Sequence, residues 1–295
     1  MKKKNVFVFG MIAVLLLLTL LLVSLSQTTG KKNDKFTIVT SFYPVYIASM
    51  QVTDSAEGIQ LINLSEPQSG CLHDFQLTPE DMKLLSTADV FVINGGGAEA
   101  FLEDIAKAYP KLTILNACED VPLLLEEEEQ NAHAWMRVDL YKQMVQNIAK
   151  GLSEKNVVNK AQYEENAKRY LSELEPLLSR FEALKENFAG EKAILLHEAF
   201  AYTADCLNLE VSYVLDLDEE RQISAGEVAD VVSLIQTQNV KILFVDARYG
   251  EEMAETLKQE TGVKAIYLDP INRGEYDKNS YIEKMSQNLK CLEAQ

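Results

Sequence analysis

The fold of this chain is decided by a short stretch, DVFVINGGG at residues 89–97. Its first half is a continuous apolar run, which is typical of a strand buried on both faces of a parallel sheet. The three glycines predict a tight turn, because glycine adopts backbone conformations that other residues avoid. A helical pattern follows at residues 98–108 and a further apolar run at 112–115. Strand, turn, helix and strand in this order are the unit of an α/β fold.

The same alternation continues on both sides of this stretch. Further strands are predicted at residues 37–40, 59–64, 193–196, 210–215, 241–246 and 264–268. Between the two groups of strands, apolar side chains recur at steps of three and four residues, which predicts one helix of about 45 Å. We therefore predict an α/β fold of two lobes, each a parallel sheet covered by helices, with a cleft between them. The predicted boundaries are 36–155 for the first lobe, 156–188 for the long connecting helix and 189–295 for the second lobe.

Residues 1–35 differ from the rest of the chain and are predicted to be a signal or anchor segment with its linker. Three lysines precede an apolar run at residues 6–25, and a polar stretch follows, as in export signals. The apolar run is long enough to span a bilayer, so cleavage and retention as a membrane anchor both remain open. The lysines place the following chain on the outer face of the cytoplasmic membrane. If the segment is cut, the protein is expected to be periplasmic or extracellular.

The charge of the chain excludes one class of partner. The formal net charge is −17, and it becomes −22 without residues 1–35, which carry six lysines and one aspartate. A protein with this negative charge is not expected to bind nucleic acid, because nucleic-acid phosphates bind basic surfaces. We expect a monomer without a nucleic-acid partner.

All three histidines of the chain fall in loops or at strand ends. His73 lies between a predicted strand and a helix that begins at Pro79, His133 lies in a loop, and His197 ends a strand. Asp269 also ends a strand. Open α/β sheets bind ligands outside the carboxyl ends of their strands, and imidazoles with a carboxylate are common zinc ligands. The residues alone therefore predict a metal site in a cleft, although no short zinc-binding motif is present.

Four segments resemble the ligand motifs of the zinc/manganese solute-binding proteins of bacterial ABC transporters. They are LHDF at 72–75 with LTPED at 77–81, AHAWM at 132–136, HEAFAY at 197–202 and YLDP at 267–270. The resemblance implies that His73, His133 and His197 bind the metal and that Asp269 supplies or approaches the fourth position. It also implies that the protein is not an enzyme but carries Zn²⁺ as its transported ligand to an ABC permease. In that family a histidine at the third position accompanies zinc, and a carboxylate there accompanies manganese or iron.

Two alternatives remain open at this point. One is a Mn²⁺ or Fe²⁺ carrier of the same family, and the other is a secreted zinc hydrolase. The chain also departs from the family pattern. It has no cysteine before position 71 to carry a lipid, and the acidic run at 126–129 replaces a histidine-rich loop.

The four cysteines, at positions 71, 118, 206 and 291, are exported in this interpretation, so disulfides can persist. Their spacing does not fix a pairing, because four cysteines allow three connectivities. A disulfide between Cys71 and Cys118, which follows a strand of the same lobe, is the preferred hypothesis. A role for Cys71 as a soft metal ligand or as a nucleophile beside His73 remains open.

Overall fold

Two four-stranded parallel sheets form the framework of the protein in its computed structural model, which describes residues 35–66, 75–126, 128–215, 217 and 223–295. The first sheet contains β1 (Phe36–Thr40), β2 (Ile59–Asn63), β3 (Val90–Ile93) and β4 (Thr113–Asn116). Its strand order is β2-β1-β3-β4, and every neighbouring pair is parallel. Its helices are α1 (Tyr43–Val52), α2 (Pro79–Leu85) and α3 (Leu102–Ala108). The parallel sheet predicted from continuous apolar runs is thus confirmed.

The glycine turn at residues 95–97 precedes α3, which begins at Leu102 and not at the predicted residue 98. All three glycines have positive φ, which a right-handed helix excludes. A Cβ at Gly95 would lie 2.0 Å from Asn116 Oδ1, and one at Gly96 would lie 2.8 Å from Leu123 Cδ1. Glycine is therefore required both by the backbone conformation and by the close approach of neighbouring chain.

The acidic segment, predicted to be a loop, contains a short antiparallel hairpin. Its strands are β5 (Leu125–Glu126) and β6 (Glu129–Gln130). The pattern did not reveal it because the strands have two residues each and lack a buried face; Leu125 is 69% exposed. After the hairpin come a 3₁₀ turn (Ala134–Met136) and α4 (Val138–Lys155).

The long helix is α5 (Lys160–Phe188), 29 residues, preceded by a 3₁₀ turn at Val157–Asn159. It begins four residues after the predicted start because Asn156 ends α4. One face of α5 buries an apolar stripe against the core: Tyr163, Tyr170, Leu174, Leu177 and Phe181. This face packs against α1 and α4, and also against the last helix of the chain. The helix therefore contacts elements from both halves of the sequence.

The second sheet repeats the first in a shorter stretch of chain. Its strands are β7 (Lys192–Leu195), β8 (Glu210–Val214), β9 (Ile242–Asp246) and β10 (Lys264–Leu268), in the order β10-β9-β7-β8 and all parallel. Its helices are α6 (Ala201–Cys206), α7 (Ala225–Gln238), α8 (Glu251–Thr261) and α9 (Ser280–Glu293). Residues 36–295 form one compact unit, and the division into lobes at 155 and 188 stays a prediction.

The segment before α9 returns to the first sheet. Tyr43 Oη donates to the Glu275 carbonyl at 3.1 Å, and Gln51 Nε2 donates to the Lys278 carbonyl at 2.7 Å. The ring centroids of Tyr46 and Tyr276 lie 4.3 Å apart. These contacts hold the carboxyl-terminal part of the chain against α1.

An ion-pair cluster at the end of α1 gives a prediction about pH. Asp54 accepts from Lys278 Nζ at 3.0 Å and Arg169 Nη2 at 3.3 Å, and the Lys278 hydrogen bond lowers the pKa of Asp54 below 3.8. Because the folded pKa is lowered, this stabilisation is present at neutral pH and is lost as the pH falls through the folded pKa. We expect Asp54→Asn to lower the free energy of unfolding by about 1 kcal/mol or less at pH 7, since such exposed pairs contribute little.

Urea unfolding of both proteins at pH 7 and pH 3 measures this effect. The difference between wild type and variant should shrink at the lower pH. A difference that stays constant with pH would show that the lost ion pairs do not cause it.

Candidate metal site

His133 is held at the carboxyl edge of the first sheet. It lies between β6 and the 3₁₀ turn at Ala134–Met136, and it is 3% exposed. The residue before it, Ala132, accepts a hydrogen bond from Asn94 Nδ2 at 2.9 Å. Asn94 directly follows β3, so the end of a central strand positions the histidine segment.

A buried carboxylate fixes that strand end. Glu99 Oε1 accepts from Ser41 Oγ and from the Asn94 N–H, both at 2.7 Å, and Oε2 accepts from the Gly95 N–H at 3.0 Å. Burial raises the pKa of Glu99, although these hydrogen bonds oppose the shift. The carboxylate thus connects the ends of β1 and β3 to the glycine turn. Asn94, which this carboxylate fixes, in turn holds Ala132 through its side-chain hydrogen bond.

The His133 ring faces two oxygen atoms. Its Nδ1 lies 3.0 Å from Asn131 Oδ1 and 3.3 Å from Glu198 Oε1. Asn131 is a residue that the sequence interpretation missed. The available signal was its position two residues before a histidine, from which a short amide side chain can bind the backbone N–H.

His197 lies two residues after Leu195, the last residue of β7, and directly precedes the 3₁₀ turn at Glu198–Phe200. It is 8% exposed, and its Nδ1 accepts from the Ala199 N–H at 3.0 Å. The ring centroids of His133 and His197 are 5.5 Å apart. The structure therefore brings together two of the three predicted histidine ligands, from distant parts of the sequence.

Asp269 follows β10 at the carboxyl edge of the second sheet, as predicted, and its carboxylate is ion-paired. Oδ2 accepts from Lys284 Nζ and, at 3.3 Å, from Arg248 Nη2, while Oδ1 accepts from the Ile271 N–H at 2.7 Å. Asn288 holds its backbone through two hydrogen bonds of 2.8 Å. A metal ion that binds Asp269 must therefore compete with two cationic side chains.

A second carboxylate, Asp246, ends β9, which lies between β7 and β10 in the sheet. Its Oδ1 accepts from the Arg248 N–H at 2.9 Å, and its Oδ2 is a buried acceptor without a hydrogen-bond partner among the described residues. Burial raises the pKa of Asp246. This side chain therefore adds to the negative charge near His197 and Asp269 whenever it is ionised.

His73 and Cys71 lie outside the described residues. Within the described part of the chain, no group of three or more His, Cys, Asp or Glu side chains is placed to hold a metal ion. The complete four-ligand set therefore stays a prediction. Cys118 is buried, and burial raises the pKa of its thiol to about 12; it forms no disulfide with a described residue. The Cys71–Cys118 pairing likewise stays a prediction.

Two parallel sheets with a pair of imidazoles brought together at their carboxyl edges are the arrangement that the sequence predicted for a metal solute-binding protein. The chain belongs to the family described as zinc-uptake complex component A, periplasmic, which matches residues 38–295. No described helix is long and apolar enough to cross a membrane, and the predicted anchor at residues 6–25 lies outside the described residues.

Individual relatives differ in the metal that their names give. The chain is 27% identical to the high-affinity zinc uptake system protein ZnuA of Bacillus subtilis, with 90% of each chain covered. It is 26% identical to the iron ABC transporter substrate-binding lipoprotein MtsA of Streptococcus pyogenes, covering 91% of this chain and 92% of the relative. Its fold is similar to that of the solute-binding protein FpvC of Pseudomonas aeruginosa in complex with Mn²⁺, at 25% identity and a TM-score of 0.77, covering 88% and 98% of the two chains.

Tyr202 provides a test of how the site is supported. Its hydroxyl donates to the Asn131 carbonyl at 2.6 Å and accepts from the Leu124 N–H at 3.0 Å, and the side chain is fully buried. Tyr202→Phe should lower the free energy of unfolding by about 1–3 kcal/mol, because both backbone groups lose a buried partner. Urea unfolding measures the change. Tyr213→Phe, at a tyrosine that is 41% exposed, is the control and should change stability by no more than about 0.5 kcal/mol. Equal effects of the two substitutions would contradict this role.

Proposed function

We propose that this protein captures Zn²⁺ outside the cytoplasm and delivers it to the permease of an ABC transporter. The observation that carries the proposal is the pair of buried imidazoles, His133 and His197, held at the edges of two sheets. Membership of a periplasmic zinc-uptake family supports the same function. On this proposal the metal is cargo, and the protein must bind it tightly enough to capture it and still release it to the partner.

The separation of the two rings supports binding of a single ion. With Zn–N bonds of about 2.0–2.1 Å and tetrahedral geometry, the centroids of two ligating imidazoles lie roughly 5 Å apart. The observed separation is 5.5 Å. The separation of the two rings is therefore close to the value that one shared ion requires.

We assign the remaining ligand positions to His73 and Asp269. The support for His73 is the sequence motif that contains it, and the support for Asp269 is its place at the carboxyl edge of the sheet that also carries His197. In the structure the ammonium group of Lys284 donates a hydrogen bond to Oδ2 of this carboxylate. We propose that the incoming divalent cation displaces this ammonium group.

Zinc is favoured over manganese by the chemistry of the donors. Three imidazoles suit zinc, whereas manganese prefers oxygen ligands. The iron and manganese named for MtsA and FpvC make a Mn²⁺ or Fe²⁺ carrier the second candidate. The two metals are distinguished by competition on protein purified without added metal.

A closed ligand sphere also favours a carrier over a secreted zinc hydrolase. A catalytic zinc ion keeps a position for water or substrate, whereas four protein ligands fill the tetrahedral sphere. A carrier binds one equivalent of metal and shows no turnover of ester or peptide substrates. Turnover that a chelator abolishes would favour the hydrolase.

The relatives named as lipoproteins support a location at the outer face of the membrane. We propose that residues 6–25 attach this protein there if they are retained, since no cysteine precedes position 71 to carry a lipid. Mass spectrometry of the membrane and soluble fractions distinguishes an intact segment from a cleaved one.

Zinc titration of four proteins tests the site. His73→Ala, His133→Ala and His197→Ala should each weaken zinc binding by more than the roughly 10–100-fold that loss of an outer-shell partner costs. Affinities are measured by competition with a chromophoric chelator, first with zinc alone and then with manganese present. The ligand set would be wrong if only one of the three substitutions weakened binding. A wild-type protein that binds manganese more tightly than zinc would reverse the choice of metal.

The ion pair between Lys284 and Asp269 predicts that one substitution strengthens zinc binding, whereas the histidine substitutions weaken it. Lys284→Met should strengthen zinc binding roughly 3- to 10-fold, because it removes a competing ion pair of about 1 kcal/mol. Asp269→Asn should weaken binding. Lys278→Met, which removes a lysine bonded to Asp54, is the matched control and should leave zinc affinity unchanged. Unchanged affinity in both Lys284→Met and Asp269→Asn would exclude Asp269 as a ligand.

A further inference from the structure

The orientation of the Asn131 side-chain amide is fixed by two main-chain groups. Its Oδ1 accepts from the His133 N–H at 2.9 Å, and its Nδ2 donates to the Glu198 carbonyl at 3.1 Å. A backbone N–H can only donate and a carbonyl can only accept, so the two ends of the amide cannot be exchanged. The atom of Asn131 that faces the His133 ring is therefore an oxygen.

This orientation decides which nitrogen of His133 carries the proton. Nδ1 lies 3.0 Å from Asn131 Oδ1 and also faces the Glu198 carboxylate. Both groups are acceptors, so Nδ1 must donate, and the lone pair of the neutral ring lies on Nε2. We propose that Asn131 is a positioning residue that holds His133 as the Nδ1–H tautomer and so prepares Nε2 to bind the metal. This inference rests on the proposed function.

His197 differs from His133 in this respect. Its Nδ1 accepts from the Ala199 N–H, so the proton of the neutral ring is on Nε2. To bind a metal through Nε2, His197 must release this hydrogen bond and move its proton to Nδ1, or turn its ring. The Nδ1–H tautomer of His133 needs no such transfer of a proton. The two rings thus enter the reaction with the metal in different states, and His133 is the prepared ligand.

The surroundings of Asn131 make it rigid enough for this role. It is 3% exposed, and its carbonyl accepts from Tyr202 Oη at 2.6 Å. Through Nδ2 it also holds the Glu198 backbone, directly after His197. One side chain therefore connects both candidate ligands, and the ring of His133 cannot turn without losing a buried hydrogen bond. Outer-shell partners of this kind fix the tautomer and orientation of a metal-binding histidine.

Long-range ¹H–¹⁵N NMR correlations of the imidazole rings test the proposal in the metal-free protein at neutral pH. The chain has three histidines, so single alanine variants assign each ring. We expect wild-type His133 as Nδ1–H and His197 as Nε2–H, and zinc should change the state of His197 but not that of His133. A wild-type His133 that is protonated on Nε2 would overturn the proposal without any variant.

Two substitutions then separate positioning from mere folding. Asn131→Leu removes the nearer acceptor and also the hydrogen bond that holds the Glu198 backbone in place. We therefore expect the Nε2–H form of His133 to appear and zinc affinity to fall about 10–100-fold. Asn131→Asp keeps an acceptor at the same place and should keep the Nδ1–H form. An unchanged tautomer in Asn131→Leu would overturn the proposal, as would loss of the tautomer in a folded Asn131→Asp protein.

Asn166→Leu is the matched control for stability. Asn166 is 2% exposed and donates to the carbonyls of Val52 and Asp54, so its loss also leaves buried acceptors unpaired. We expect this variant to be less stable while its histidine tautomers and zinc affinity stay those of the wild type. A wild-type protein that binds no zinc would refute the proposed function, yet the tautomer of His133 would still be measurable. The two failures are therefore distinguishable.

Discussion

The hydrogen bond from Trp135 Nε1 to the Pro270 carbonyl, at 2.9 Å, joins the two parts of the chain that carry the candidate ligands. Trp135 lies two residues after His133, and Pro270 directly follows Asp269. The indole is fully buried, and the Trp135 carbonyl accepts from Tyr281 Oη of α9 at 2.8 Å. Because both ends of this bond are buried, breaking it leaves unpaired polar groups, so the two segments keep one relative position. The placement of the candidate site depends on this constraint.

The same local hydrogen bond recurs at the strand ends that form the candidate site. His197, Asp246 and Asp269 each follow or end a strand of the second sheet, and each side chain accepts from the backbone N–H two residues later. Asn131 does the same to His133. Such turns satisfy backbone donors that the sheet no longer pairs, and they fix the first atoms of each polar side chain. The orientation of these side chains is therefore fixed in part by hydrogen bonds between residues only two positions apart.

The charges around the site are balanced in a way that suits a carrier. Asp269 is paired with Lys284 and Arg248, so a carboxylate available to a divalent cation is neutralised while no metal is bound. On the proposed function, a divalent cation that displaces the ammonium group keeps the carboxylate paired with positive charge, so its desolvation stays compensated. Return of the ammonium group would then accompany release of the metal.

Membership of the family does not by itself decide the metal. The names of the relatives include zinc and iron carriers at nearly equal identity, 27% and 26%. A difference in a few donor atoms, with the fold unchanged, is enough to alter the preference, since imidazole and carboxylate ligands favour different ions. On the proposed ligand set, the imidazole at position 197 is therefore more informative about the metal than overall similarity is.

The sequence by itself determined the two parallel sheets, the helix α5, the positions of His197 and Asp269 at strand ends and the position of His133 in a loop. It could do so because continuous apolar runs and three- and four-residue periodicity are local consequences of burial. The hairpin β5–β6 and the start of α3 were not predictable, since they depend on two-residue strands and on the Glu99 carboxylate reaching back to the glycine turn. Only the tertiary structure showed that the rings of His133 and His197 lie side by side, that Lys284 is ion-paired with Asp269 and that the Asn131 side-chain oxygen faces the His133 ring. These are contacts between residues far apart in the chain or between side chains whose orientation no local pattern records.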